Sequence, residues 1–282
     1  MAEVRKPTIT WKATIYGILA ATFIWTLFPF YWMFCTALKP EIDQFKVPPD
    51  FWPQTITFEN LIKLFAPDSL IVKFFFNSFV TAIATVVVTV VLATLAGYAL
   101  SRLRFRFRKQ ILISVLVTQM FPMVVLLIPL YLLYVKADLL NSYLGLTIAF
   151  TSFALPFGVW MIKGFIDSVP VEVEEAAMVD GCSRVEAMFK VVLPLATPGI
   201  VATGIFAFLD AWNNLLFPMT LVNDVTMKTL PPGMLIAFGG QFKHDWGGMM
   251  ATSFLTTLPI LVIFILVQRY IVAGLTAGAV KG

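Results

Sequence analysis

Two short constellations in this chain hold residue types that do chemistry. One is Asp210-Ala211-Trp212-Asn213-Asn214, where a carboxylate, an indole and two amides stand almost side by side. Amide and carboxylate groups hydrogen-bond polar ligands, and an aromatic face stacks on a flat apolar one. The other runs from Glu174 to Leu195, EEAAMVDGCSRVEAMFKVVLPL, a charged and helix-prone stretch with paired alanines, a central glycine and a closing Leu-Pro. Its residues suit a surface that another body approaches closely. Bond-making chemistry finds little support. His244 is the only histidine, which excludes a His-rich metal cluster. There is no Gly-x-x-x-x-Gly-Lys-Ser/Thr loop to cradle a nucleotide, no Gly-x-Ser-x-Gly elbow and no His-Glu-x-x-His pair. The chain is therefore read as a non-enzyme, with no cofactor or metal of its own.

The elements that must carry these residues follow from composition. Of 282 residues, 59% are hydrophobic and 13% charged, with a mean hydropathy of +0.88. Soluble domains carry about 25% charged residues. Crossing roughly 30 Å of hydrocarbon at about 1.5 Å per residue takes an apolar run of about 20 residues. Six such runs are legible: Thr14–Cys35, Ile71–Leu100, Ile111–Val135, Leu144–Ile162, Leu195–Val222 and Met249–Val267. The first follows Arg5, Lys6 and Lys12, as in a signal peptide, but it is long and lacks a small-x-small cleavage site, so it reads as an uncleaved span. Asp210 to Asn214 then lie in the fifth span, well past its start. A carboxylate at that depth marks a cavity, a pathway or a buried pair. Polar residues also hold one membrane helix to another, so pathway and interface both stand as readings of Asp210, Trp212, Asn213 and Asn214.

Lys and Arg orient the spans, because short cytoplasmic loops retain them. With the N-terminus inside, the cytoplasmic segments carry Arg5, Lys6, Lys12, the run Arg102, Arg104, Arg106, Arg108, Lys109, then Lys163, Arg184, Lys190, Arg269 and Lys281. The outer segments carry Lys39, Lys46, Lys63, Lys136, Lys228 and Lys243. The basic run "SRLRFRFRKQ" decides the orientation, and both termini are expected in the cytoplasm. It is read as a topology determinant facing membrane lipid, with no nucleic-acid partner. Cys35 and Cys182 fall on opposite sides and are not expected to pair.

The Glu174–Leu195 stretch thus sits in a cytoplasmic loop between the fourth and fifth spans, about 163–193. Here Asp167, Glu172, Glu174, Glu175, Asp180 and Glu186 outnumber Lys163, Arg184 and Lys190, the reverse of what topology alone favours. Pro170 suits a first helical turn, the acids at 172, 174 and 175 favour the positive end of the helix dipole, and Gly181 suits the left-handed stop. Val173, Ala176 and Ala177 are expected on one face. Ser183-Arg184-Val185-Glu186 spells a capping box that starts a second helix running toward the fifth span. Asp180 and Arg184 are expected to brace the turn. The Pro-rich outer segments 36–70 and 223–248 read as structured loops, Pro122, Pro129, Pro156, Pro194 and Pro198 as bends in or before spans, and residues 1–282 as one domain.

Glu175-Ala176-Ala177, three residues, Gly181, nine residues, Val191, one residue, Leu193-Pro194 resembles the EAA signature of membrane subunits of bacterial ATP-binding-cassette importers, with Val191 in place of isoleucine. The ending QRYIVAGLTAGAVKG, residues 268–282, is similar to that of the MalG-like permeases of carbohydrate importers. The resemblance implies an all-α polytopic protein of six transmembrane helices in a prokaryotic cytoplasmic membrane, with a cytoplasmic coupling helix between spans four and five. It implies a second, MalF-like permease subunit, two copies of an ATP-binding subunit that hold the ATP and Mg, and an extracytoplasmic sugar-binding protein. By the same resemblance Glu175, Ala176, Ala177, Asp180, Gly181, Arg184, Leu193 and Pro194 couple the chain to the ATPase, and the tail reaches between the ATPase subunits. The cargo is expected to be a sugar or oligosaccharide, with a polyol or glycerol phosphate as the alternative. A stand-alone secondary transporter is disfavoured by the sparse intramembrane charge.

Overall fold

The computed structural model describes residues 9–239 and 245–279. Arg5, Lys6, Lys243, His244 and the end of the tail from residue 280 lie outside the described residues. Among the described residues there is no β-strand. Helix α1 spans Ile9–Ala37 and is followed by short turns α2 (Glu41–Gln44) and α3 (Glu59–Ile62). Then come α4 (Ile71–Arg102), α5 (Arg108–Val117), α6 (Met123–Lys136) and α7 (Tyr143–Ser168). The loop beyond holds α8 (Val171–Val179), α9 (Arg184–Ala187) and α10 (Leu193–Leu195), and α11 (Thr197–Asn213), α12 (Leu216–Leu221), α13 (Leu230–Phe238) and α14 (Trp246–Ala279) complete the chain.

Among the described residues, four helices are by themselves long and apolar enough to cross a membrane: Thr10–Ala37, Ile71–Arg102, Tyr143–Ser168 and Trp246–Arg269. Two bent pairs pass the same test of length and composition, and bring the total to six where each pair counts as one span. The third span, read from the sequence as one run, bends by 99° between Arg108–Met120 and Met123–Lys136. Pro122 causes the break. It lacks an amide hydrogen, and its ring drives Phe121 into an extended conformation at ψ 128°, which a helix cannot continue. Gln119 anchors the corner by donating to the Phe153 carbonyl at 2.8 Å. Pro129, inside α6, makes no such corner. The fifth span differs likewise: Arg184–Leu195 meets Thr197–Asn213 at 75°, and Asn214 and Leu215 separate α11 from α12. A π-helical turn at Met188–Val192 precedes that bend.

The chain's contacts gather in two compact units, 1–69 with 237–258 and 70–236 with 259–282. In the first, the Pro-rich segment folds onto the end of α1. Asn60 donates to the Ala37 and Lys39 carbonyls, both at 2.9 Å, and Lys39 reaches the Asp50 carbonyl at 2.6 Å while lying over the Trp32 ring. In the second, α4, α7 and α11 pack against one another. Their closeness is written in small side chains. Asn77, Thr81, Thr85 and Thr89 recur every fourth residue of α4 and are all fully buried. Thr81 and Thr85 each return their hydroxyl proton to the carbonyl four residues earlier, so they present methyl groups instead of unmet polar atoms. Asn77 ties α4 to the segment before α13, donating to the Thr226 and Lys228 carbonyls at 3.0 and 2.8 Å.

Candidate functional site

Helix α8 is built as its sequence spells it. Pro170 takes the N-cap position, Glu172 and Glu174 fall in the first turn, and Gly181 stops the helix at φ +95°. The stop is a Schellman arrangement: the Cys182 amide donates to the Ala177 carbonyl at 3.0 Å and the Gly181 amide to that of Met178 at 3.1 Å. Next, the Ser183–Glu186 capping box is complete. Glu186 Oε2 accepts from the Ser183 amide at 2.8 Å, and Ser183 Oγ accepts from the Glu186 amide at 3.3 Å.

The exposed face of α8 carries Glu172, Val173, Glu175, Ala176 and Val179, with Ala177 half-buried at its margin. Glu174 points the other way and is 2% exposed. Its carboxylate takes a hydrogen bond from Tyr98 Oη at 2.5 Å and from Arg102 Nε at 2.7 Å. The second edge of the Arg102 guanidinium donates to the Val169 carbonyl at 2.8 Å, so one planar fork holds the last turn of α4 to both the end of α7 and α8. Ser101 extends the cluster by donating to Asp167 Oδ1 at 2.6 Å, and Lys163 pairs with the same carboxylate. The Arg102 and Glu174 side chains are 6% and 3% exposed. Removing one partner from a buried pair strands the other charge, at about 3–5 kcal/mol. A cavity of about 370 Å³ lies beside this joint, with Arg104, Glu175, Met178 and Arg184 on its other walls.

The expected brace between Asp180 and Arg184 does not form; the ion pairs near this turn are Arg102–Glu174 and Lys190–Glu186. Four-residue spacing brings side chains together only within a continuous helix, and here the left-handed Gly181 lies between the two. Leu193 packs beside a core of Tyr98, Ile162, Ile166, Met188 and Val192, while Pro194 is exposed at the start of α10.

The Asp210–Asn214 group is divided by the fold. Asp210, Asn213 and Asn214 line a cavity of about 400 Å³ together with Met123, Phe206 and Leu216. The Asp210 Oδ2 atom is buried there with no hydrogen-bond partner among the described residues. Asn213 and Asn214 also serve the backbone, Asn213 by donating to the Leu209 carbonyl at 3.0 Å and Asn214 by accepting from the Phe217 amide at 3.1 Å. Trp212 does not line the cavity. Its ring stacks on Phe208 at 5.3 Å and takes Phe75 edge-on at 5.4 Å, leaving it 3% exposed, so in this conformation it binds α11 to α4 and offers no open face.

Residues 89–277 match the family described as the binding-protein-dependent transport system inner membrane component. The chain belongs to this family. The permease is 40% identical over 260 residues to the diacetylchitobiose uptake system permease protein DasC of Streptomyces coelicolor, covering 92% of this chain and 94% of that one. It is 36% identical to the sulfoquinovosyl glycerol transport system permease protein SmoH of Agrobacterium fabrum, over 91% and 89% of the two chains. It is 32% identical to the trehalose/maltose transport system permease protein MalG of Thermococcus litoralis, over 91% and 92%. A crystal structure of a bacterial ABC transporter involved in the import of the acidic polysaccharide alginate contains a chain of the same fold, with a TM-score of 0.78 at 21% identity, covering 94% of the permease and 99% of that chain. The permease is thus a membrane subunit of an ATP-binding-cassette importer and not itself an enzyme.

Within the permease, the Arg102–Glu174 joint is the part that sequence reasoning missed. A signal existed. Val171, Glu174, Ala177 and Met178 share one stripe of α8 at helical spacing, and an acid on an otherwise small and apolar stripe needs a buried partner. Tyr98 and Arg102, one turn apart at the end of α4, were the donors available to it.

Proposed function

We propose that the permease forms half of the translocation path of a sugar or oligosaccharide importer and takes up the motion of a separate ATPase through α8. The observation that carries this reading is the exposed Glu175–Ala176 face of α8, followed by the Gly181 stop and the capping box, in a chain whose relatives are permeases of glycoside and disaccharide systems. Small side chains let a partner's backbone come close, and Glu175 offers it one negative charge. Arg104 of the basic run shares a cavity with Glu175, which supports a cytoplasmic side for the loop and both termini. The remaining parts are a second related permease, two ATP-binding subunits holding ATP and Mg, and an extracytoplasmic binding protein, all in a prokaryotic cytoplasmic membrane.

The test is to purify the tagged permease with the products of its neighbouring genes and measure ATP hydrolysis against a panel of ligands. Stimulation by a disaccharide or oligosaccharide through the binding protein is the expected result. Stimulation by a polyol or glycerol phosphate alone changes the cargo class, and transport by the isolated chain without ATP sinks the proposal.

The cavity at Asp210 fits a place on the path, because a carboxylate with a free oxygen and two amides can meet sugar hydroxyls. Asp210→Leu is expected to raise the substrate concentration for half-maximal transport about tenfold, the loss of one hydrogen bond to a charged group, while the complex still assembles. Loss of the partner permease from the purified complex would assign Asp210 to the helix interface instead.

A further inference from the structure

The two ends of α8 are attached to the spans by different physics. At its start, Glu174 is clamped by Arg102 and Tyr98, Arg102 also holds the Val169 carbonyl, and Ser101 holds Asp167. Every one of these bonds is directional and most are charge-assisted, so together they fix the angle of α8 to α4 and to the end of α7. Past α8 the chain runs through a left-handed glycine, a π-helical turn at Met188–Val192 and a 75° corner before α11 begins. The contacts that Met188, Val192 and Ala196 make there are apolar and non-directional. Such contacts tolerate sliding, and π-turns and corners are where helices yield.

From this asymmetry we infer that Arg102 and Glu174 are positioning residues that make α8, α4 and the end of α7 one lever, so that a push on α8 enters the membrane through α4 while the turn before α11 acts as the hinge. Tyr98 is the third fastener of the lever. This rests on the reading of α8 as the ATPase contact. The lever explains why an acid is buried beneath a helix whose remaining acids face outward. It also gives the last arginine of α4 a role apart from that of Arg104, Arg106 and Arg108 in the exposed run that follows.

The experiment uses the complete importer in proteoliposomes and reads substrate moved per ATP hydrolysed, alongside subunit content and thermal stability. The double variant Arg102→Met, Glu174→Met replaces the pair by unbranched apolar side chains, which fills most of the space without stranding a charge. Its complex is expected to assemble and hydrolyse ATP with the transport ratio lowered about tenfold, the size of a typical coupling between two sites. Tyr98→Phe keeps the ring and the ion pair and removes one donor; it is expected to lower the ratio about threefold, within the range of one modest hydrogen bond. A parental ratio in the double variant overturns the lever, because the pair would then serve packing alone. If the double variant fails to assemble, Tyr98→Phe decides, and a parental ratio there overturns the proposal. Failure of the unaltered complex to couple ATP to uptake would instead remove the ATPase reading, so the two failures are distinguishable.

Discussion

Gly181→Asp is expected to reduce uptake by at least about tenfold, the scale of losing a coupling between two sites, while the permease still reaches the membrane in normal amount. Gly181 sits at φ +95°, beyond where side chains with a Cβ settle easily, and its amide closes the Schellman stop of α8. The surrounding space is open, with no neighbouring atom of the described residues within 4 Å of where a Cβ would stand, so the substitution meets no wall among them. Its local cost is backbone strain of about 1–2 kcal/mol, which an exposed turn absorbs without unfolding three packed helices. The functional cost is larger because strain re-aims the end of α8 and a second carboxylate joins Asp180 on the surface proposed above to meet the ATPase. Gly181→Ala separates the effects, since it strains the backbone without adding charge, and is expected to fall between the parent and Gly181→Asp. Labelled-substrate uptake normalised to the membrane level of tagged permease is the measurement. Parental uptake by the aspartate variant would remove α8 from the coupling pathway.

Local grammar made much of this site legible and tertiary contacts hid the rest. Gly181 and the Ser183–Glu186 box act within four residues of themselves and appear where their chemistry places them, while Pro170 stands one residue ahead of the first turn, at the N-cap. Apolar run length marked six membrane segments, but run length carries no direction. A proline inside an apolar run can sit in a helix, as Pro129 does, or turn a corner, as Pro122 does; at the corner Gln119 finds a carbonyl on α7 to hold it. Arg102 was hidden by its neighbours, because Arg104, Arg106 and Arg108 make it look like one more orienting cation until α7 and α8 are folded beside it. Trp212 has, in this structure, the contacts of the interface reading, one of the two that the sequence left open. Its proximity to Asp210 and two amides suggests a sugar platform, yet Phe208 one turn back and Phe75 on α4 cover its ring.

Gly158→Leu is expected to act on the other side of the division between fold and coupling, removing folded permease from the membrane. Gly158 lies where α7 touches both α4 and α11. A Cβ at this position would stand 2.9 Å from Thr203 Cγ2 and 3.2 Å from Ala93 Cβ, with Thr89 Cγ2 at 3.5 Å. None of these neighbours can swing aside, because β-branched side chains are stiff about χ1 and alanine has no rotamer to change. A membrane bundle has little hydrophobic drive to hold its helices together and depends on close packing of small residues. Inserting extra carbons into a tight core costs about 1–3 kcal/mol, and more where relaxation is blocked, against a total stability of about 5–15 kcal/mol. Leucine adds a branched side chain where one methyl already collides, so α7 must separate from α4 or α11. The polar stripe of α4 then opens, and the angle that Arg102 and Val169 fix between α4 and α7 is lost with it. The expected result is a fall in membrane-inserted, monodisperse permease, read by gel filtration of the tagged protein, with uptake falling in proportion. A normal yield of a monodisperse Gly158→Leu permease would show that α4, α7 and α11 do not meet at this glycine. Uptake lost in proportion to protein at Gly158, but out of proportion to it at Gly181, separates the residues that build the permease from those that drive it.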